Sequence, residues 1–109
     1  MTHAVTSLAE PLGGPTGRVV TARRDELRRV LREHGIVSAS VFGSVARGDD
    51  HEGSDLDLLV DVPSGTSLFD LLRIQAELEA IVGVEVDLIP TTALKERVRR
   101  QAEPDLITL

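Results

Sequence analysis

The chain reads as a small α/β (α+β) domain, a mixed β-sheet with helices packed on it. Three observations predict this. Residues 37–42, 55–61 and 84–89 are short apolar runs of strand length, bounded by turn residues. Segments 21–34 and 68–82 carry apolar residues at helical spacing. The order helix, strand, strand, helix, strand lets amphipathic helices cover a small sheet.

The elements follow in order. Residues 1–17 hold Pro11, Gly13, Gly14, Pro15 and Gly17, and read as a flexible tail ahead of one domain over 18–109. A helix is predicted from Thr21 or Ala22 to His34. Thr21 is its candidate cap, Leu27, Val30, Leu31 and His34 form one stripe, and Gly35 is the stop. Strand 37–42 is buried. Gly43-Ser44 ends it, and the five residues from Ser44 to Gly48 suit one helical turn. A polar loop, 48–54, leads to strand 55–61. Its Asp55, Asp57, Leu59 and Asp61 lie on one face, with Leu56, Leu58 and Val60 on the other.

A turn at 63–66 precedes Ser67, which caps the next helix with Asp70 three residues on. That helix carries Leu68, Leu71, Leu72, Ile74, Leu78 and Ile81 on a broad apolar face and stops at Gly83. In the third strand Val84, Val86 and Leu88 share one face, Glu85 and Asp87 the other. Thr91 or Thr92 caps a last helix reaching about residue 102, with Leu94 and Val98 toward the core, and Pro104 breaks it. The apolar end, 106–109, docks on the domain or on a partner.

The chemistry concentrates in Gly43-Ser44, ten further residues, then Asp55-Leu56-Asp57. Glycine turns the backbone sharply and admits a ligand closely. Unpaired N–H groups after such a turn suit an anion. The Ser44 hydroxyl adds a donor and Arg47 a fixed positive charge. Alternate strand residues point the same way with Cα atoms roughly 6.5–7 Å apart, so Asp55 and Asp57 can converge on one or two hard cations such as Mg²⁺. Asp87 reaches the same ions if its strand lies beside 55–61, and can take a proton from an attacking hydroxyl. Glu85 shares its face and competes for that role. An isolated Asp-x-Asp is more often a solvated strand end. The full spacing, with Arg47, Gly48, Ser54 and a later strand carboxylate, reverses that judgement.

Residues 42–48 (Phe-Gly-Ser-Val-Ala-Arg-Gly), followed by 54–60 (Ser-Asp-Leu-Asp-Leu-Leu-Val), closely resemble the DNA polymerase β-type nucleotidyltransferase superfamily. More narrowly, the chain looks like the minimal nucleotidyltransferase (MNT) antitoxins of HEPN–MNT toxin–antitoxin pairs. Their Gly-Ser-x10-Asp-x-Asp signature is matched without a gap, and the likeness spans about half the chain, 37–89. It implies a polymerase β palm-like nucleotidyltransferase fold. It implies that Asp55, Asp57 and Asp87 bind metal, two Mg²⁺ being expected, and that Asp87 shares in catalysis. An aspartate before an aliphatic residue at this strand's end is the family pattern, which favours Asp87 over Glu85. Gly43 and Ser44 would cradle the β- and γ-phosphates of ATP, Arg47 would sit close to the triphosphate, and Ser54 belongs to the same nucleotide-binding set. The implied reaction moves AMP from ATP to a tyrosine hydroxyl of a cognate HEPN ribonuclease toxin, which is thereby silenced. That toxin would be the hetero-oligomeric partner.

Composition narrows the alternatives. The 109 residues allow one small domain, so an acceptor supplied by another protein is expected. The net charge of −6 is uneven: 18–33 carries six basic and three acidic residues, whereas 49–87 carries eleven acidic residues and only Arg73 among Lys and Arg. An acidic middle suits metal and disfavours a duplex groove, so direct nucleic-acid binding is not expected. The arginines of the first helix read as a solvated face. Phe42 and Phe69 are the only aromatics, which leaves no platform for base stacking. Without cysteine, disulfides and thiolate metal sites are excluded. No run reaches membrane-span length and 1–17 lacks the pattern of a secretory signal, so a cytoplasmic protein without membrane contact is expected. Arg28 and Arg29 with His34 resemble the Arg-x4–6-His motif of HEPN ribonucleases, but that family is all-helical. A non-catalytic binding antitoxin is the alternative in a different class, and a transferase acting on a small molecule or RNA is a third.

Overall fold

The computed structural model describes residues 10–109. The element order is α1 (Pro15–Ala22), α2 (Arg24–Glu33), β1 (Ser38–Phe42), α3 (Gly43–Arg47), β2 (Leu56–Asp61), α4 (Leu68–Val82), β3 (Val86–Pro90), a 3-10 turn (Thr91–Ala93), α5 (Glu96–Ala102), a second 3-10 turn (Glu103–Asp105) and β4 (Ile107–Thr108). The four strands form one mixed sheet in the order β3-β2-β1-β4. β1 is antiparallel to both β2 and β4, and β2 is parallel to β3. This is the mixed sheet with packed helices that the alternation of elements predicts.

The strand pattern sets the core. Leu56, Leu58 and Val60 are fully buried on one face of β2, and join Val41 and Val86 from the flanking strands. Leu27 and Leu31 of α2 and Ile74 and Leu78 of α4 belong to the same cluster. The opposite face of β2 carries Asp57 half-buried, Leu59 buried and Asp61 exposed. At its start α4 has the expected capping box: the Asp70 N–H donates to Ser67 Oγ (3.1 Å) and the Ser67 N–H to Asp70 Oδ2 (3.0 Å). The Ser67 backbone and then its hydroxyl hold the Asp70 carboxyl below its ordinary range. His34 ends α2, and its Nε2 lies 2.8 Å from Glu77 Oε2 of α4, joining the two helices.

Several boundaries differ from the sequence reading. The tail expected over 1–17 gives way to α1 at Pro15; residues 1–9 lie outside the described part. Pro15 stands at the first helical position, where the missing N–H costs nothing. The single helix expected from Thr21 or Ala22 is two helices, because Arg23 (φ −108°, ψ 15°) breaks the run. Thr21 is no cap: its hydroxyl donates to the Gly17 carbonyl inside α1 (3.1 Å). Strands β1 and β3 start one and two residues later than expected, at Ser38 and Val86, and Asp55 precedes β2. A 3-10 turn replaces the start of the last helix, and Val98 is exposed rather than turned to the core. The apolar end docks on the domain, as β4 pairs with β1 and Leu109 is buried.

The apolar face of α4 is narrower than its sequence implies. Ile74, Leu78 and Val82 are buried, while Leu68 and Leu72 are 68% and 50% exposed. Leu78→Ala is expected to cost about 3 kcal/mol in urea unfolding, the transfer term plus a cavity. Leu72→Ala, on the same sequence stripe, is expected to stay within about 0.5 kcal/mol. Equal losses for the two would show that the helix is rotated from the position described.

Candidate active site

The site grows from the end of β1. Phe42 is extended (φ −141°), and Gly43 then takes φ +75°, a left-handed conformation that strains any residue with a side chain. A Cβ on Gly43 would also stand 2.9 Å from Asp57 Oδ2. Glycine therefore both makes the turn and lets it close on a carboxylate. Within α3 the Ser44 carbonyl accepts from the Gly48 and Asp49 N–H groups (2.9 and 3.1 Å), fixing the start of the following loop.

Asp57 occupies the centre of the arrangement. Its Cα pairs with Phe42 across the antiparallel ladder and with Asp87 across the parallel one. Paired strands lie about 4.8 Å apart, so the Asp57 and Asp87 side chains stand on the same face at close range. The Asp57 carboxyl is pushed up to about 6, first by burial, then by the charges of Asp87 and Asp55 and by hydrogen bonding to Asp87. Two neighbouring carboxylates thus act on Asp57. Glu85 lies outside β3, and its carbonyl accepts the Leu56 N–H (2.8 Å). The strand register therefore puts Asp87, not Glu85, opposite Asp57.

An open cleft of about 390 Å³ is lined by Ser44, His51, Gly53, Ser54, Asp55 and Asp57. Gly43 and Asp87 are not among the residues that line it. Ser54 holds the loop together: its Oγ accepts the His51 N–H (2.9 Å) and its own N–H donates to the His51 carbonyl (3.0 Å). Arg47 is turned elsewhere. Its Nε bonds Asp49 and its Nη1 bonds Asp105, both at 3.2 Å, and these pairings raise its pKa. A more closed cavity of about 110 Å³, between α2 and the β1–β4 edge, is lined by Leu31, Ile36 and Ala39 beside Arg28 and Arg32. It holds none of the three carboxylates and lies away from this chemistry.

Three residues outside the site expected from the sequence bear on the cleft. His51 lines it, although a lone loop histidine is more often solvent-exposed than a ligand. Asp50 is buried at 8% exposure and Thr16 at 3%, and they bond to each other across 34 positions, a separation that no local motif reports. The carboxylate oxygens of Asp55 and Asp57, with open space beside them, are of the type that suits a hard cation also meeting substrate oxygens. Among the described residues no group of three or more His, Cys, Asp or Glu side chains is placed to hold a metal ion.

The geometry is that of a glycine turn set against a carboxylate pair, and it has known counterparts. Residues 24–108 match the family model described as the nucleotidyltransferase domain. The chain belongs to that family and is a nucleotidyltransferase. A candidate protein adenylyltransferase of Methanocaldococcus jannaschii is 43% identical over 77 residues, 67% of this chain and 83% of that protein. The protein adenylyltransferase MntA of Thermococcus cleftensis is 37% identical over 82 residues, 75% of this chain and 80% of its own length. The solved structure of a candidate minimal nucleotidyltransferase superposes with a TM-score of 0.75 at 41% identity, covering 84% of this chain and 94% of that one. A toxin–antitoxin structure with AMP-PNP gives a TM-score of 0.68 at 19% identity, over 77% and 69% of the two chains, and so attests the fold. The family named by the Gly-Ser-x10-Asp-x-Asp signature is the family found.

The raised Asp57 carboxyl has a consequence for stability. Its value is about 6 folded, against 3.8 for the free group. The folded state therefore holds this proton more tightly, and stability falls as pH rises from about 4 to about 6. Asp57→Asn removes the penalty. In metal-free buffer above pH 6 it is expected to raise stability by ~1 kcal/mol, a figure reduced for the solvent that reaches this half-buried group. The gain is expected to vanish below about pH 4. Thermal melts of both proteins from pH 4 to 8 in chelator check this; a melting difference independent of pH would contradict it.

Proposed function

We propose that the chain is a Mg²⁺-dependent protein adenylyltransferase that moves AMP from ATP to a tyrosine hydroxyl of a cognate HEPN ribonuclease toxin and so acts as its antitoxin. The observation that carries this reading is the register of Asp57 with Asp87, with Asp55 beside them and the Gly43 turn closed on Asp57. Asp55, Asp57 and Asp87 would hold the cation, which when bound would neutralise phosphate charge and polarise the reacting oxygens. Gly43 and Ser44 would receive the β- and γ-phosphates in the bare turn.

In the reaction the acceptor oxygen bonds the α-phosphorus, and the bond from that phosphorus to the α–β bridging oxygen breaks. Pyrophosphate leaves, and the hydroxyl proton passes to a carboxylate, for which Asp87 is the assigned base. Asp57, half-buried, sits where its charge is least solvated and gains most from a cation. Ser54 keeps the loop before Asp55 in place. Arg47 would reach the triphosphate only after exchanging Asp49 and Asp105 for phosphate oxygens. The names of the adenylyltransferase relatives support AMP as the group moved, and the toxin–antitoxin neighbours support a protein partner. No helix among the described residues is long and apolar enough to cross a membrane.

The engaged Arg47 favours a second reading, a binding antitoxin that neutralises its partner without turnover. One experiment separates the two. The protein is incubated with Mg²⁺ and α-labelled ATP, with and without the protein encoded beside its gene. Label is expected on that partner, with loss on the order of 100-fold or more in Asp55→Asn and Asp57→Asn and on adding chelator. Toxin neutralised equally by both variants, with no label transferred, would leave the binding reading.

A further inference from the structure

The loop between α3 and β2 carries Ser54 and Asp55 into the cleft, and its main anchor comes from the other end of the chain. Asp50, buried at the middle of that loop, accepts the Thr16 N–H (2.8 Å) and the Gly17 N–H (3.3 Å) on one oxygen, Oδ2. It thereby satisfies the unpaired first turn of α1 from 33 and 34 positions away. Thr16 returns the contact: its hydroxyl donates to the Ser54 carbonyl (3.2 Å), the residue next to Asp55. The segment before α1 lies on the same elements, with the Leu12 N–H on the Ala46 carbonyl (3.3 Å). The approach is so close that a Cβ on Gly14 would collide with Asp50 Oδ1. The family match begins at Arg24, so α1 and the segment before it lie outside it.

We infer that residues 10–22 form a clamp, supplied from outside the matched family domain, in which Thr16 and Asp50 position the 48–55 loop for nucleotide binding. Thr16 and Asp50 are positioning residues: Thr16 touches, and Asp50 belongs to, the loop that presents Ser54 and Asp55, and neither is placed on the substrate. The buried Asp50 carboxylate cannot be solvated and so must keep both N–H donors. This ties the loop to α1 as one unit. The second bond, from Thr16 to Ser54, fixes the backbone one residue before Asp55. The inference rests on the nucleotide reading above and adds a determinant of affinity to it.

The test uses Thr16→Val, which keeps the backbone N–H for Asp50 and the side-chain shape but loses the hydroxyl. Binding of a non-hydrolysable ATP analogue with Mg²⁺ is measured by calorimetry on the full chain. Affinity is expected to fall roughly 10-fold, in line with losses at residues that orient ligand-binding groups, and Thr16→Ser is expected to restore it. Thr21→Val, which loses a hydroxyl bond confined to α1, is expected to bind within about twofold of the parent. Amide exchange over 48–55 is read in the same proteins without nucleotide, and is expected to speed up only in Thr16→Val. Unchanged exchange in that variant overturns the clamp, whether or not ATP binds. Faster exchange with unchanged affinity overturns its role in binding. Equal weakening in Thr21→Val reduces the effect to general loss of α1. A parent protein that does not bind the analogue at all overturns the nucleotide reading, a result distinct from the first two.

Discussion

Everything in this molecule turns on one carboxylate held where the fold would rather not have it. Asp57 lies on a central strand, flanked in register by Phe42 on one side and Asp87 on the other. Burial and two neighbouring carboxylates raise its pKa to about 6. The apolar face of the same strand supplies what holds it there, because Leu56, Leu58 and Val60 are fully buried in the core beneath α2 and α4. A strand anchored on one face can carry unfavourable charge on the other. That charge becomes favourable when a cation or a proton arrives, which is why such sites concentrate functional groups.

The remaining elements keep that strand edge approachable. Gly43 turns the chain within reach of Asp57 without filling the space, a result that both its positive φ and its missing Cβ require. β4 closes the other side of β1, so the short sheet gains a fourth strand from the chain's last residues. Asp50 and Thr16 join the loop to α1. The cleft is thus open toward solvent but bordered by backbone that is fixed on several sides.

Local chemistry explains what could be read from the residues. Gly43-Ser44, the Asp55–Asp57 pair, the Ser67–Asp70 capping box and the buried face of β2 are each written within a few positions. Their spacing alone predicts turn, strand face and helix start. The segment at 15–17 was misread because glycine and proline mark both loops and helix entries, and what decides between them is Asp50, a residue far along the chain. The broad apolar stripe of α4 was overestimated for a related reason. Periodicity shows which residues share a face, but not where the neighbouring layer ends, and Leu68 and Leu72 project beyond it. Arg47 pairs with Asp49, two residues on, and with Asp105, whose approach depends on where the second 3-10 turn packs.

The class of fold, the glycine turn, the carboxylate pair and, with them, the family are legible in short stretches of the chain. These are short-range matters of backbone freedom, side-chain alternation and hydrophobic period. The tertiary structure supplies the physical reason that Asp87 rather than Glu85 faces Asp57: strand register is set by pairing between segments 30 positions apart. It alone decided that the last residues complete the sheet and that the first described residues brace the site loop. Contacts between distant segments are chosen by how whole layers pack and by which buried polar groups must find partners, and neither is encoded in any single stretch of the chain.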